Sequence, residues 1–488
     1  MLIPEYILDI IKVMAGAGFS AELVGGCVRD LLMDKQPHDW DLATNARPEQ
    51  VLSLFSAAKY ENAFGTVIIP YRQTDGTVLD VVEITTYRSE RGYADSRHPD
   101  EVLFEDVLDK DLERRDFTIN AMALRLDEKG NHVFGDNHFA LIDLFGGLKD
   151  IRKKVIRAVG EPADRFKEDA LRMMRAIRFS SQLGFELEPK TQRGIIKLAG
   201  SLKFVAKERI RDELIKIIAS DRPAAGIMAL HDSKLLQYLI PELEQGVGVK
   251  QNHHHIYPVF KHNVLSLQYC PSAEWPVRFA ALLHDVAKPK TRRLLAGQAT
   301  FYNHEYVGAK MVDKIMTRLK FKNEDRERVV NLVKNHMFYY NVGEVTAASV
   351  RRLISRVGRD NLQDLIHLRV ADRLGSGTPK AVPYKLRHLQ YMMEKVQHDP
   401  VSVKMLAING HDLMSELNLP PSPKIGAILD VLLGEVLADP LKNERNLLLT
   451  RARSLQSDDL EDLRIQARSL IEEKREGDDV ELQHRFKV

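Results

Sequence analysis

The stretch Leu23 to Thr44, LVGGCVRDLLMDKQPHDWDLAT, decides how the rest of the chain is interpreted. An apolar run predicts a strand that ends at Gly25-Gly26, and the next residues predict a short helix. A glycine turn between a strand and a helix is typical of phosphate binding, because backbone N–H groups point outward and no Cβ blocks the approach. Asp39 and Asp41 follow at alternate positions of a predicted strand, so both carboxylates project from one face. The stretch therefore predicts a phosphate-binding turn beside a divalent metal site.

Asp-x-Asp alone is common at solvated strand ends, but the ordered combination is not. It resembles the head of class II tRNA nucleotidyltransferases and bacterial poly(A) polymerases, which are members of the polymerase-β-like superfamily. The resemblance implies nucleotide transfer by two-metal phosphoryl transfer. It assigns Mg²⁺ to Asp39 and Asp41 as the catalytic pair, and phosphate contacts to Gly25, Gly26 and Arg29.

A second part of the nucleotide site is predicted in the segment Leu112–Leu124, LERRDFTINAMAL. An arginine pair and an aspartate precede a predicted apolar helix, a pattern that by itself also fits a surface helix start. Paired guanidiniums suit triphosphate oxygens, and the resemblance implies that Asp116 binds a ribose hydroxyl. Poly(A) polymerases often have tyrosines where Ala121–Ala123 stand, which favours the tRNA enzymes. The nucleotide-binding residues predicted here are Arg114, Arg115, Asp116 and Asn120.

The base-reading residues are predicted further along, in residues 160–185, which read as one amphipathic helix. Asp169 and Arg172 are three apart, so an ordinary ion pair on one helix face is one interpretation. The Glu-Asp-x-x-Arg motif resembles the family's base selector, which chooses C or A without a template. That resemblance implies that Asp169 and Arg172 present acceptor and donors to the base, with Arg175 beside them. G or U would then leave buried polar groups unpaired.

Charge is distributed unevenly along the chain. Its 488 residues are 44% apolar and 29% charged, with a net charge of +2, and this length predicts about three or four domains. Residues 151–216 nevertheless carry 17 lysines and arginines against 9 acidic residues. A basic segment in an otherwise slightly acidic chain is typical of a phosphate-backbone contact, although a solvated helical surface has the same composition.

A second candidate site begins near residue 250, where histidines recur on predicted helices. A single histidine is more often structural, and the run His253–His255 is interpreted as a surface loop. The order of the other histidines and aspartates resembles the HD phosphohydrolase superfamily, and ligands from separate helices need no short spacing. A divalent transition metal or Mg²⁺ suits such donors. The predicted ligands are His262, His284, Asp285 and Asp372, with His304 and His336 for a second ion.

These features predict an α+β protein: a polymerase-β-like nucleotidyltransferase head, an all-α neck, an HD-type helical body and a helical tail. The tail resembles the part of bacterial CCA-adding enzymes that holds the tRNA elbow, and Gly146-Gly147 resembles the family's hinge between head and neck. The predicted boundaries are 1–149 for the head, 150–248 for the neck, 249–395 for the HD domain and 396–488 for the tail.

Two head features bear on mechanism and specificity. Glu83, near the end of the predicted strand Val78–Thr86, is a candidate third carboxylate beside the metal pair, or a rim carboxylate. Residues 87–107 are polar and without periodicity, which predicts a mobile loop. CCA-adding members have a flexible loop in this place and CC-adding members lack it, so its presence argues against an enzyme that adds only CC.

The expected function is CCA addition to the tRNA acceptor arm from CTP and ATP, with a second, HD-type phosphohydrolase activity. The alternatives are an A-adding tRNA nucleotidyltransferase, a poly(A) polymerase, or an HD phosphohydrolase whose head only binds RNA. No run reaches the ~18 apolar residues of a membrane span, and the N-terminus does not read as a signal peptide. With Cys27 and Cys270 interpreted as buried thiols, we expect a cytoplasmic protein without membrane partners.

Overall fold

The computed structural model describes residues 2–62, 65–72, 75, 77–91, 101–251, 256–295, 298–338, 340–378, 380–398, 403 and 406–488. The predicted surface run of three histidines lies outside the described residues. The chain forms two compact units, Met1–Lys334 with His367–Thr378, and Asn335–Ile366 with Pro379–Val488. The finer division into four segments stays a prediction.

The first 149 residues build an eight-stranded sheet in the order β3-β4-β5-β2-β1-β8-β10-β9. Strands β2 and β5 are parallel, and every other neighbouring pair in this sheet is antiparallel. The strands of the described residues are β1 (Ala21–Val24), β2 (Trp40–Thr44), β3 (Lys59–Asn62), β4 (Thr66–Arg72), β5 (Val78–Thr86), β6 (Arg88–Arg91), β7 (Glu101–Phe104), β8 (Ala123–Leu126), β9 (His132–Phe134), β10 (Asn137–Ile142), β11 (Val155–Ile156), β12 (Glu186–Leu187), β13 (Arg293–Leu295) and β14 (Gln298–Thr300).

Helices make up most of the remainder of both units. Those of the first unit are α1 (Glu5–Gly16), α2 (Gly26–Leu32), α3 (Pro48–Leu54), α4 (Leu108–Glu113), α5 (Gly147–Lys153), α6 (Pro162–Glu168), α7 (Leu171–Leu183), α8 (Pro189–Leu198), α9 (Lys207–Ile218), α10 (Pro223–Asp232), α11 (Leu236–Leu239), α12 (Pro241–Glu244), α13 (Val259–Gln268), α14 (Trp275–Leu283), α15 (Lys288–Thr291) and α16 (His304–Arg318). The later helices are α17 (Asn323–Asn335), α18 (Ala347–Val357), α19 (Leu362–Gly375), α20 (Tyr384–His398), α21 (Gly410–Glu416), α22 (Pro423–Ala438), α23 (Arg445–Ser454) and α24 (Leu460–Phe486).

The two faces of the head sheet are covered differently. On one face α1 packs against the sheet, where Tyr6 stacks on Tyr71 at 4.1 Å between ring centroids. On the other face α4 covers the centre, because its Leu108 and Leu112 join one buried cluster with sheet residues such as Ala43. That second face is the one on which Asp41 projects, since Asp41 and Ala43 alternate with the buried Leu42.

Three local predictions in the head and neck are wrong. The helix expected after Asp116 is instead a short 3-10 turn at Thr118–Asn120 followed by strand β8, whose apolar residues pair with β1 in the buried centre of the sheet. The single helix expected over residues 160–185 is two, because the backbone is extended at Asp169 between α6 and α7. The loop expected at 87–107 begins and ends as an antiparallel ribbon of β6 and β7, and residues 92–100 lie outside the described part.

The second unit has its own apolar core. Helix α22 packs along α24, and the buried leucines of both helices belong to one cluster with α21 and α23. This agrees with the helical tail predicted from the sequence. In the described part of the chain, no helix combines the length and apolar character needed to cross a membrane.

Candidate functional site

Three carboxylates meet at the junction of β2 and β5. The parallel pairing places Asp41 directly beside Glu83, and Asp39 precedes β2 by one residue. Burial raises the pKa of Asp41 despite the nearby Arg115, and the charge of Asp39 raises it further. The pKa of Glu83 is likewise raised, by burial and by Asp41. Adjacent carboxylates that repel one another suit a hard divalent cation, so the donor set fits Mg²⁺.

The glycine turn lies against this carboxylate group. Gly25 has φ +76°, and a Cβ there would lie 2.9 Å from Nη1 of Arg115 and 3.5 Å from Oδ2 of Asp41. Only glycine fits this position without displacing a side chain. Arg29, on the helix that starts at Gly26, donates from Nη1 to Oδ1 of Asn120 at 2.9 Å. The turn thus brings the predicted phosphate contacts and the metal pair into one place.

A buried aspartate that the sequence reasoning missed holds the arginine pair. Asp111 accepts from Nε and Nη2 of Arg114 at 3.0 and 2.6 Å, and from Nε and Nη2 of Arg115 at 3.2 and 2.9 Å. Although burial disfavours the charged form, the two guanidiniums hold the pKa of Asp111 below its ordinary value. Each guanidinium therefore has a fixed orientation. The spacing Asp-x-x-Arg-Arg on one helix turn was the available signal.

Asp116 links the head to the neck. Its Oδ2 accepts from Nε of Arg175 at 2.6 Å, and its Oδ1 accepts from Nδ2 of Asn120 at 3.3 Å. Burial opposes ionisation, but Arg175 and Arg172 keep the pKa of Asp116 low. Arg175 also lies over the ring of Phe179 at 5.6 Å. The predicted nucleotide residues of the two segments are therefore in direct contact.

Asp169 and Arg172 do not pair with each other. Oδ1 and Oδ2 of Asp169 accept from Nη1 and Nη2 of Arg209 at 3.2 and 2.7 Å. Arg172 forms an ion pair with Glu168 and donates from Nη2 to the backbone oxygen of Arg114 at 3.2 Å. The break between α6 and α7 separates the two side chains, so the ordinary i,i+3 ion pair is excluded. Arg209, from α9, is a further residue of this group that the sequence reasoning missed.

The second cluster brings together predicted ligands from α13, α14 and α19. Nε2 of His262 lies 3.0 Å from Nε2 of His284, 3.2 Å from Oδ2 of Asp285 and 3.4 Å from Oδ1 of Asp372. The Nδ1 atom of His284 lies 2.9 Å from the backbone oxygen of Ala281. A backbone carbonyl on the far nitrogen fixes a ring in the orientation that metal-binding histidines use.

Asp285 has a second imidazole on its other oxygen. Its Oδ1 lies 3.1 Å from Nε2 of His304, and its Oδ2 lies 2.6 Å from Nζ of the buried Lys288. Although burial disfavours the imidazolium, Asp285 and Asp372 raise the pKa of His284 to about 10. Binding of a cation here would release a proton. Imidazoles and carboxylates that converge in a buried site fit a divalent transition metal.

His336 is buried and directly follows α17, in the sequence range of the second unit. Its assignment as a ligand for a second ion stays a prediction.

Three family models match the chain. They are described as "Poly A polymerase head domain" over residues 21–157, "Probable RNA and SrmB- binding site of polymerase A" over 184–246, and "tRNA nucleotidyltransferase domain 2 putative" over 299–452. The first two fall within or close to the predicted head and neck, and the third crosses the predicted boundary between body and tail.

Relatives and a solved structure resemble almost the whole chain. The A-adding tRNA nucleotidyltransferase of Deinococcus radiodurans is 35% identical over 442 residues, 85% of this chain and 92% of the relative. The CCA-adding enzyme of Lactiplantibacillus plantarum is 33% identical over 446 residues, 91% and 94% of the two chains. The structure of the Bacillus stearothermophilus CCA-adding enzyme in complex with CTP is 25% identical, has a TM-score of 0.58, and aligns over 93% of this chain and 98% of its own.

Proposed function

The chain belongs to the family of class II tRNA nucleotidyltransferases and poly(A) polymerases and is a nucleotidyltransferase, and we propose that it adds CCA to tRNA 3′ ends from CTP and ATP. The observation that carries this proposal is the hydrogen bonding between head and neck: Arg172 donates to the backbone oxygen of Arg114, and Arg175 donates to the carboxylate of Asp116. One continuous group of side chains thus spans phosphate, sugar and base recognition.

The proposed reaction is attack of the RNA 3′-hydroxyl on the α-phosphate of the nucleotide, with pyrophosphate as the leaving group. Asp39 and Asp41 would hold the Mg²⁺, which when bound supplies Lewis acidity and lowers the pKa of the attacking hydroxyl. The backbone at Gly25 and Gly26 and the oriented guanidinium of Arg115 contact the triphosphate and neutralise charge on its oxygens. The chain's own contribution is therefore positioning and electrostatic stabilisation, as expected for phosphoryl transfer.

Base selection is proposed to come from Asp169 and Arg172. Asp169 is fixed by Arg209, and Arg172 by Glu168 and a backbone oxygen, so neither side chain can rearrange freely for a different base. Such a fixed acceptor and donor fork matches one edge of cytosine or adenine and leaves polar groups unpaired against G or U. Selectivity is then a property of the neck, and phosphoryl transfer a property of the head.

Three acceptors test the proposal: tRNA without CCA, tRNA ending in CC, and oligo(A). We expect CTP and then ATP to be incorporated on the first acceptor, ATP on the second, and no extension of the third. Failure to incorporate CTP on the first acceptor would contradict CCA addition, and extension of oligo(A) would indicate a poly(A) polymerase.

An A-adding activity is the second candidate, favoured by the relative from Deinococcus radiodurans, which is named an A-adding tRNA nucleotidyltransferase and is 35% identical over 442 residues. It predicts ATP incorporation on tRNA ending in CC without CTP incorporation on tRNA lacking CCA. The same three acceptors therefore separate the two candidates.

We also propose that the cluster of His262, His284, Asp285 and Asp372 is a metal-dependent phosphohydrolase site. Its support is the buried convergence of two imidazoles with two carboxylates. The ion when bound would activate a water for attack on a phosphoester, and Lys288, which contacts Asp285, provides a positive charge beside the site. Removing His284 and Asp285 should abolish both metal content and hydrolysis of phosphomonoesters or cyclic phosphodiesters.

A further inference from the structure

An exposed apolar strip extends from the carboxylates along strand β5. Leu79 is 54% and Val81 40% exposed, and both lie at alternate positions with Glu83 along β5, so that they project on the same face of the sheet. In the neighbouring strand, Pro70 pairs with Val81 and Ile68 pairs with Glu83, and both are half-buried. At the rise of a strand, Val81 lies ~7 Å and Leu79 ~14 Å from Glu83. The strip is therefore a direct continuation of the candidate active site.

The exposure of this strip contrasts with the covered centre of the same face of the sheet. The central strands on the same face are covered by α4, whose Leu108 and Leu112 pack on Ala43 and Ala123. No such cover lies over Leu79 and Val81 among the described residues, which is why they remain exposed. Single exposed apolar residues need no explanation, but a row of them that ends at a reactive centre is typical of a ligand surface.

The apolar character of the strip indicates which of the two reactants can bind to it. A triphosphate needs cations and N–H donors, and these lie at Arg115 and at the turn of Gly25. Leu79 and Val81 offer only apolar surface. Unpaired bases have flat faces that pack against aromatic or apolar side chains. Because the base of the incoming nucleotide is assigned to Asp169 and Arg172, the strip fits the RNA and not the nucleotide.

We propose that Leu79 and Val81 hold the unpaired 3′-terminal nucleotides of the acceptor RNA by packing against their bases, so that the terminal hydroxyl reaches the carboxylates at Asp41 and Glu83. This inference rests on the proposed function. It makes Leu79 and Val81 positioning residues, which act on the reaction through the RNA and not on the reacting atoms.

The first test compares Leu79→Thr/Val81→Thr with Val133→Thr in tRNA incorporation assays. Threonine is β-branched and therefore suits a strand at both positions, and Val133, 53% exposed in edge strand β9, is a matched control in the same sheet. We expect the KM for tRNA ending in CC to rise about three- to tenfold in the double variant, with the KM for ATP and the control unchanged. Leu79→Phe should lower the KM for tRNA, a gain that a purely structural role would not give.

The second test is a double-mutant cycle with tRNA in which one of the last two bases is replaced by an abasic residue. If the strip packs on a base, removal of that base lowers the affinity of the wild type for the RNA. In the threonine variant, removal of the same base causes no further loss of affinity. Additive losses at both positions would overturn the inference, as would a dimeric wild type that the threonine variant converts to monomers, because the strip would then be an interface between copies. Absence of any incorporation by the wild type would instead contradict the proposed function.

Discussion

Replacement of Asp111 by asparagine tests whether the arginine pair works through its orientation. The carboxylate accepts four hydrogen bonds from Arg114 and Arg115 and is buried. Asparagine has nearly the same volume but one acceptor oxygen, and its NH₂ group faces guanidinium N–H groups. At least one charge-assisted contact to each arginine is lost or weakened, and such contacts contribute about 1.5–3 kcal/mol each.

Both guanidiniums keep some solvent exposure, so after the substitution they can form hydrogen bonds to water instead. The lost contacts should therefore mainly disorder the two arginine side chains that contact the triphosphate. If a loss of that size reaches the transition state, kcat/KM for the nucleotide falls about 10- to 150-fold. Steady-state incorporation of ATP on tRNA ending in CC measures this, with the exposed Asp109→Asn on the same helix as control. A change of less than about twofold in a folded Asp111→Asn variant would show that the orientation of the arginine pair does not limit the reaction.

Three further predictions concern Asp169, Asp111 and the histidine cluster. Arg209→Gln removes the two-atom contact to Asp169, so the preference for correct over incorrect nucleotides should fall about tenfold. Incorporation of UTP and GTP measures this preference. Unchanged fidelity would show that the orientation of Asp169 does not determine base selection. Asp111 has a pKa below its ordinary value in the folded state, so the stabilisation that its carboxylate gives is complete above the unfolded pKa of ~3.9 and is lost as pH falls through the folded pKa. The melting temperature of Asp111→Asn should therefore depend less on pH below about 4 than that of the wild type. Parallel curves of melting temperature against pH would contradict this. His284→Ala with Asp285→Ala should remove bound transition metal, measured by elemental analysis of the purified protein, while ATP incorporation stays within about twofold; retention of the metal would place its ligands elsewhere.

The sequence predicted contacts that depend on order and alternation, and missed those that depend on tertiary packing. Asp39 and Asp41 could be placed on one face because a strand has a period of two residues. The helix break at Asp169 has no glycine or proline to mark it, and its partner Arg209 lies forty residues further on. The segment Ala121–Leu124, where β8 begins, read as a helix because its residues are all apolar, and periodicity does not distinguish a buried strand from a buried helix.

Glu83 is another residue whose strand could be predicted from the sequence but whose neighbours could not. Its strand was predicted with the bounds that the structure has, Val78–Thr86. Its place beside Asp41, however, depends on the parallel pairing of β2 with β5. These two strands are not consecutive in the sequence, because β3 and β4 lie between them. Pairing of distant strands is set by the whole sheet, and the alternation within one strand does not identify its partner strand.

The proposed function places nucleotide transfer at the carboxylates of β2 and not at the histidine cluster. Incorporation of ATP on tRNA ending in CC by Asp39→Ala/Asp41→Ala tests it most directly, with His284→Ala as the matched variant of the other site. We expect the first variant to show no incorporation above background while still binding tRNA, and the second to retain wild-type incorporation. Incorporation that survives the loss of both aspartates, or that is lost with His284, would contradict the account.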